Sequence, residues 1–304
     1  MNRKQVSYCV AEHYFIIDAP ANVFELMTNY VPFETVVPSG AQPLFTLYVN
    51  EPRTSLDIVT EDWKTVYADN REEDMPRIEI YRRNTDWLVC EAVSRDSETC
   101  LQITADEDFS HCQLTFLDNN ERPNGYMRFA IDNATMLLFA FTSLHYATLE
   151  MHASVTVRGD YGYLFLGKSG TGKSTHSRLW METFPDAWLL NDDNPIVRLK
   201  ADGAFVYGSP WSGKTPCYKN DMRRIGAFVK LVQAPYNKMH TLRLPEAYAY
   251  ILSSSSGLKI VPEMMDKLYD TISRLIQTVQ VYGLECLPDT AAARLCAEEI
   301  MHKE

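Results

Sequence analysis

Gly162-Tyr163-Leu164-Phe165-Leu166-Gly167-Lys168-Ser169-Gly170-Thr171-Gly172-Lys173-Ser174-Thr175 decides the reading of this chain. Its second half fits Gly-x4-Gly-Lys-Ser, with glycines at 167 and 172, lysine at 173 and serine at 174. Its first half is apolar enough for a buried strand, and 174–182 reads as a helix. Strand, glycine-rich turn and helix start, in that order, make an anion cradle. The glycines let successive backbone N–H groups converge, and the helix start adds unpaired donors and a positive dipole end. The pattern implies that Gly167, Ser169, Gly170, Thr171, Gly172, Lys173, Ser174 and Thr175 line a nucleoside triphosphate site. Lys173 would reach the outer phosphates and Ser174 would offer its hydroxyl to Mg²⁺, so a nucleoside triphosphate with Mg²⁺ is the expected ligand pair, with no motif that reads the base.

Reading onward, the next carboxylates are Asp192-Asp193, at the end of Trp188-Leu189-Leu190-Asn191. Nineteen positions separate Lys173 from Asp192, which takes one helix out and one strand back. If that strand runs the same way as 162–166, its end lies beside the loop, where open α/β sheets bind ligands. Reading backward, 151–157 and 162–166 form a hairpin closing over Arg158-Gly159-Asp160-Tyr161. Pairing Arg158 with Tyr161 makes partner numbers sum to 319, which sets His152 across from Gly167. A slip of one residue would turn the histidine to the other face. Lys214, in the glycine-flanked segment Ser212-Gly213-Lys214-Thr215, and Arg243 are further candidate phosphate contacts, each also readable as a solvated surface cation, Arg243 the more so.

The rest of the 304-residue chain divides in two. Residues 1–130 read as a mostly β domain of no assigned role, with strands at 13–17, 44–49, 77–81, 87–93, 101–104 and 112–117. A short helix at 20–28 with Asp18 as its cap interrupts them. A helix capped by Asn133 follows, and the second domain is expected over 131–304. There strands alternate with helices at 244–252, 263–278 and 290–301, an α/β pattern. His111-Cys112 is no metal pair, because neighbours on a strand face opposite ways. Seven cysteines occur without a Cys-x-x-Cys pair, which argues against a disulfide framework or a zinc ribbon. The longest apolar run, six residues at 136–141, cannot cross a bilayer, and no secretory leader is visible. A cytoplasmic protein is expected. Formal charge is −13 over residues 1–150 and +2 over 151–304. The acidic half speaks against nonspecific nucleic-acid binding; the other half suits an anionic ligand.

His152 fifteen residues ahead of Gly167, the loop itself, and Leu189-Leu190-Asn191-Asp192-Asp193 together resemble the catalytic domain of HPr kinase/phosphorylase. That family is related in fold to phosphoenolpyruvate carboxykinase. Tyr207-Gly208-Ser209-Pro210-Trp211-Ser212-Gly213-Lys214 and Val281-Tyr282-Gly283-Leu284 resemble segments of HPr-kinase-like proteins as well. The likeness spans roughly residues 150–290. It implies a phosphoenolpyruvate-carboxykinase-like P-loop fold for the α/β domain, and an ATP-dependent kinase using Mg²⁺. It assigns Lys173 to phosphate binding. Ser174 and one aspartate, Asp192 by first choice, go to the metal. The other aspartate would act as base, with His152 beside it. It also raises a homo-oligomer. Two features depart from the family. Thr175 follows Ser174 where bacterial HPr kinases carry glutamate, and the segment that engages HPr is missing, so the hydroxyl-bearing acceptor, a protein serine or a small molecule, stays open. The alternative is a nucleotide-binding regulatory or scaffold protein without turnover. A transport or motor ATPase would carry its second carboxylate much farther along.

Overall fold

The computed structural model describes residues 2–56, 62–68, 76–94, 96–117, 125–213, 215–257 and 261–301. The polar segments 69–74 and most of 118–125, read from the sequence as turns between strands, and Lys214 lie outside the described residues. Among the described residues the chain is mixed α/β with two nine-stranded sheets, in two compact units, Met1–Thr142 and Ser143–Glu304.

The first sheet is built from β1 (Arg3–Val10), β2 (His13–Pro20), β3 (Glu34–Thr35), β4 (Thr46–Val49), β5 (Lys64–Ala68), β6 (Arg77–Arg83), β7 (Asp86–Ala92), β8 (Thr99–Ala105) and β9 (His111–Phe116). Their order is β3-β1-β2-β4-β9-β8-β7-β6-β5, antiparallel except where β4 lies parallel to β2 and β9. Along β2 the side chains alternate as a one-sided strand requires, with Phe15, Ile17 and Ala19 fully buried. The β1–β2 turn is Ala11-Glu12, both at positive φ. Two-residue hairpins need that geometry, but these residue types do not announce it, and β1 goes unread in the sequence.

Helix α1 (Gly125–Thr142) packs on β8 and β9. Its Phe139 meets Phe15 at 6.4 Å and its Phe141 meets Phe109 at 5.6 Å between ring centres. The expected boundary at 130/131 therefore cuts a helix whose contacts belong to the first sheet; the units part after Thr142. Asn133 is no cap: it sits mid-helix and its Nδ2 donates to Phe129 O at 3.0 Å. The expected helix at 20–28 is instead two short 3-10 turns, Ala21–Glu25 and Thr28–Phe33. Asp18 caps neither, because Arg3 Nε donates to its carboxylate at 2.7 Å.

In the second unit, β10 (Thr148–Glu150), β11 (Ala153–Arg158), β12 (Tyr161–Leu166), α2 (Lys173–Thr183), β13 (Trp188–Asp193), β14 (Ile196–Lys200), β15 (Gly203–Tyr207), β16 (Met222–Gln233), β17 (Lys238–Thr241), α3 (Leu244–Ser254), α4 (Pro262–Thr278), β18 (Val281–Cys286) and α5 (Thr290–Met301) follow in order. The sheet runs β10-β14-β15-β16-β12-β11-β13, with β18 parallel to β16 and β17 antiparallel to β18. Strands β12 and β16 are parallel. Strand β13 runs the same way as β12, with β11 antiparallel between them. One face packs under α2 and α5 through Phe165, Leu179, Trp180, Val229, Leu284 and Cys296. This topology brings the C-terminal ends of β12, β13 and β16 and the start of β11 to one edge. No helix among the described residues is long and apolar enough to cross a membrane.

Candidate nucleotide site

The glycine-rich segment leaves β12 at Leu166 and enters α2 at Lys173. Gly172 caps that helix at φ +105° and Gly170 turns the loop at φ +77°, conformations glycine adopts without strain. Inside the loop Thr171 folds back, its N–H and hydroxyl both donating to Lys168 O, at 3.1 and 2.7 Å. The helix is tied to the sheet by a buried contact of Ser177 Oγ with Ser154 Oγ at 2.6 Å.

Strand register sets the neighbours. Ala153 faces Leu166, as the sum of 319 requires, and on its other side faces Asp193, while Ser154 faces Asp192. His152, one residue before the strand, therefore arrives at the loop. Its Nδ1 lies 2.9 Å from Asp193 Oδ1, and its Nε2 lies 2.7 Å from Lys173 Nζ. An ammonium only donates, so Nε2 accepts and the proton of a neutral ring sits on Nδ1, pointing at the carboxylate. Lys173 also donates to Gly167 O at 2.9 Å. Burial pushes its ammonium below the usual lysine range; Asp193 and Asp192 oppose that, and Lys230 adds to it. Ser174 Oγ donates to Asp192 Oδ1 at 2.9 Å. The two aspartates thus part: Asp192 is buried and faces the helix start, and Asp193 faces the histidine.

Asp193 holds φ +121°, a strained position for a residue with a side chain. The segment at Ser212-Gly213 secures the turn. Gly213 N–H and Ser212 Oγ both donate to Asp192 O, at 2.8 and 3.0 Å. A Cβ on Gly213 would lie 2.9 Å from Asp193 Oδ2, so only glycine allows this approach. Behind it, Asn191 fixes the preceding loop through Ser209 Oγ and Trp211 O.

Several contributors were not read from the sequence. Gln233 Nε2 donates to Gly170 O at 3.2 Å, joining the end of β16 to the loop. Lys230 stands opposite Leu166, and burial, then Lys168, pushes its ammonium down. Its signal was a lone charge within the apolar run 225–232. Glu150 on β10 is buried, its Oε2 has no hydrogen-bond partner, and burial followed by the charge of Asp193 raises its carboxyl to about 8. Arg243 stands apart from these groups; it is exposed and paired with Glu246 at 3.1 Å. His111 is exposed beside Asp106 and Cys112 is buried, on opposite faces of β9.

Among the described residues no three His, Cys, Asp or Glu side chains form a ready-made metal cage. Mg²⁺ does not need one: it keeps several waters and takes one or two carboxylate or hydroxyl oxygens beside substrate phosphates. The Ser174 and Asp192 oxygens, 2.9 Å apart at the helix start, fit that demand.

No family model and no curated protein matches the chain. Among solved structures, it is similar to the HPr(Ser) kinase/phosphatase from Coxiella burnetii, at 15% identity over 42% of this chain and 93% of that one, with a TM-score of 0.25. A likeness of that size decides neither fold nor activity.

Proposed function

We propose that the chain binds a nucleoside triphosphate, ATP in the simplest case, with Mg²⁺ at residues 167–175 and transfers its γ-phosphoryl group to a hydroxyl, as an HPr-kinase-like phosphotransferase. The observation that carries this reading is the relay Asp193–His152–Lys173, anchored on the same helix start as the Ser174–Asp192 pair. A binding loop alone requires no such relay.

The roles follow from the partners. Backbone N–H groups of 167–174 and Lys173 take the phosphates. Charge-assisted bonds to phosphate outweigh those to neutral acceptors, so a bound triphosphate draws Lys173 away from His152 and exposes Nε2. His152 then takes the proton of the incoming hydroxyl while Nδ1–H stays on Asp193. The hydroxyl oxygen forms its bond to the γ-phosphorus as the bond to the β–γ bridging oxygen breaks. The proton ends on His152, beside the Asp193 carboxylate, and Lys173 meets the charge on the departing diphosphate. Ser174 and Asp192 would hold Mg²⁺, which would supply neutralisation of phosphate oxygens. Lys168 and Lys230 add positive potential at the same edge.

Incubation with Mg²⁺, γ-labelled ATP and cell extract is expected to label an acceptor, and Asp192→Asn and Asp193→Asn are each expected to abolish the label. Tight binding with no transfer by the unaltered protein would support the regulatory or scaffold alternative instead. Absence of nucleotide binding ends both.

A further inference from the structure

A cavity of about 350 Å³ opens directly beyond the loop, within the range of small-ligand pockets. Its floor is Gly170–Gly172, and one wall is the face of α2 carrying Thr175, His176 and Leu179. The opposite wall is Leu231 and Ala234 at the end of β16, with the turn 286–288. Two observations define what fits it. First, the lining holds no charged side chain. Even His176 is neutral: buried, it accepts the Trp180 Nε1–H bond at 3.2 Å, and burial lowers it to about 4. A phosphate has no counter-charge there, whereas a heteroaromatic ring meets Leu179, Leu231, Leu287 and Pro288. Second, neither His152 nor Asp193 lines the cavity, so it does not belong to the face where an acceptor hydroxyl must meet the base.

The cavity is also preformed. Asn237 Oδ1 accepts from Leu287 N–H at 2.8 Å, and its Nδ2 donates to Asp289 at 3.1 Å. Ala234 N–H donates to Cys286 O at 3.1 Å. These bonds hold the rim, where Leu287 is 38% exposed.

Resting on the triphosphate reading above, we infer that this cavity receives the base and ribose of the nucleotide whose phosphates occupy the loop. Affinity then comes in two parts, a phosphate part at 167–174 and an apolar nucleoside part against α2 and the 286–288 turn. No side chain in the cavity carries a carboxylate for guanine's paired donors, so the site selects a nucleoside over bare polyphosphate more strongly than one purine over another.

Titration calorimetry with Mg-ATP and with Mg-tripolyphosphate separates the parts. The unaltered protein is expected to bind ATP at least about tenfold more tightly than tripolyphosphate. Ala234→Trp fills the cavity from its partly open rim and is expected to bring the two affinities within about twofold while tripolyphosphate still binds. Leu287→Asn, also on the rim, tests the same wall by replacing apolar surface with a neutral polar group, which leaves the phosphate part untouched, and guards against misfolding of the first variant. Equal affinities in the unaltered protein, or an ATP preference that survives both substitutions, overturn the cavity assignment and leave the loop reading standing. Failure of the unaltered protein to bind either ligand overturns the loop reading, and the cavity assignment with it.

Discussion

At the ends of the first sheet, two ion pairs form within a hairpin or turn, Arg3 with Asp18 across β1–β2 and His111 with Asp106 across the β8–β9 turn, while Arg3 Nη1 reaches on to Val49 O of β4. At the loop edge of the second sheet, bonds cross between separate elements. Asp193 of β13 meets His152 before β11, which meets Lys173 of α2, while Asp192 meets Ser174. The cause is topological. A hairpin returns the chain at once, so its end holds sequence neighbours. Strands that run the same way, as β12, β13 and β16 do, send loops from distant parts of the chain to one edge. Size and strand number are shared by the two sheets; what sets the second apart is that the groups meeting at its edge are the lysine, histidine and aspartates beside the glycine-rich loop.

The sharpest break of that comparison comes from paired substitutions. Asp193→Asn removes the carboxylate that orients His152, and is expected to lower acceptor labelling by up to about 10²–10⁴-fold, the usual worth of the base it positions, with nucleotide binding kept. Asp106→Asn, removing the carboxylate from the superficially similar His111 pair, is expected to leave labelling untouched. Initial rates with γ-labelled ATP check both. Equal losses would mean that convergence is not what distinguishes the second sheet.

A second contrast lies in two buried carboxyls. Glu91 in β7 and Glu150 in β10 each leave Oε2 without a hydrogen-bond partner, and each is raised to about 8. Burial is the cause for Glu91; for Glu150 burial is joined by Asp193. Both groups stay protonated in the folded chain after the unfolded chain has ionised. Their contribution is therefore fully present below about 4.5 and lost as pH rises to about 8, at about 1.4 kcal/mol per pH unit for each. Urea unfolding at pH 5 and pH 8 is expected to show this slope. Glu91→Gln should flatten it for the first unit and Glu150→Gln for the second. Asp193→Asn should reduce it for the second alone. A slope that does not change with either glutamine would sink the assignment.

The sequence carried the loop because strand, glycines and helix start are consecutive. It carried Asp192-Asp193 because one helix and one strand fix the return, and His152 because a hairpin register propagates from its turn. It did not carry Gly213, whose need for a missing Cβ arises from Asp193, twenty positions earlier. Nor did it carry Gln233 or Glu150, whose roles depend on which strand ends the sheet order brings together. The first domain yielded its central strands through alternation. It hid β1 behind a turn of Ala11-Glu12, residue types that rarely mark such a turn, and Asn133 drew the expected start of α1 well past its place at Gly125. Gly213→Ala tests the hidden part. It is expected to cost about ten- to a hundredfold in transfer by displacing the Asp193 carboxylate, with ATP affinity close to unchanged.

The smallest effect makes the finest comparison. Tyr30 OH lies 2.6 Å from Thr135 Oγ1 in the first unit, and Ser154 Oγ lies 2.6 Å from Ser177 Oγ in the second, both buried. Tyr30→Phe and Ser154→Ala should each cost about 1 kcal/mol of stability, the net worth of one such bond. Their consequences should differ. Thr135 belongs to α1, which carries none of the proposed site, and it still donates to Ile131 O. Ser177 lies one turn after Ser174 on α2, and Ser154 faces Asp192 across the sheet. Loosening that contact loosens the spacing between the helix start and the carboxylate pair. Ser154→Ala is therefore expected to weaken Mg-ATP binding by about twofold to fivefold, a fraction of the same bond energy, while Tyr30→Phe leaves it unchanged. Calorimetry on both variants, at matched distance from their unfolding midpoints, separates a polar contact that only holds a sheet together from one that also positions the site.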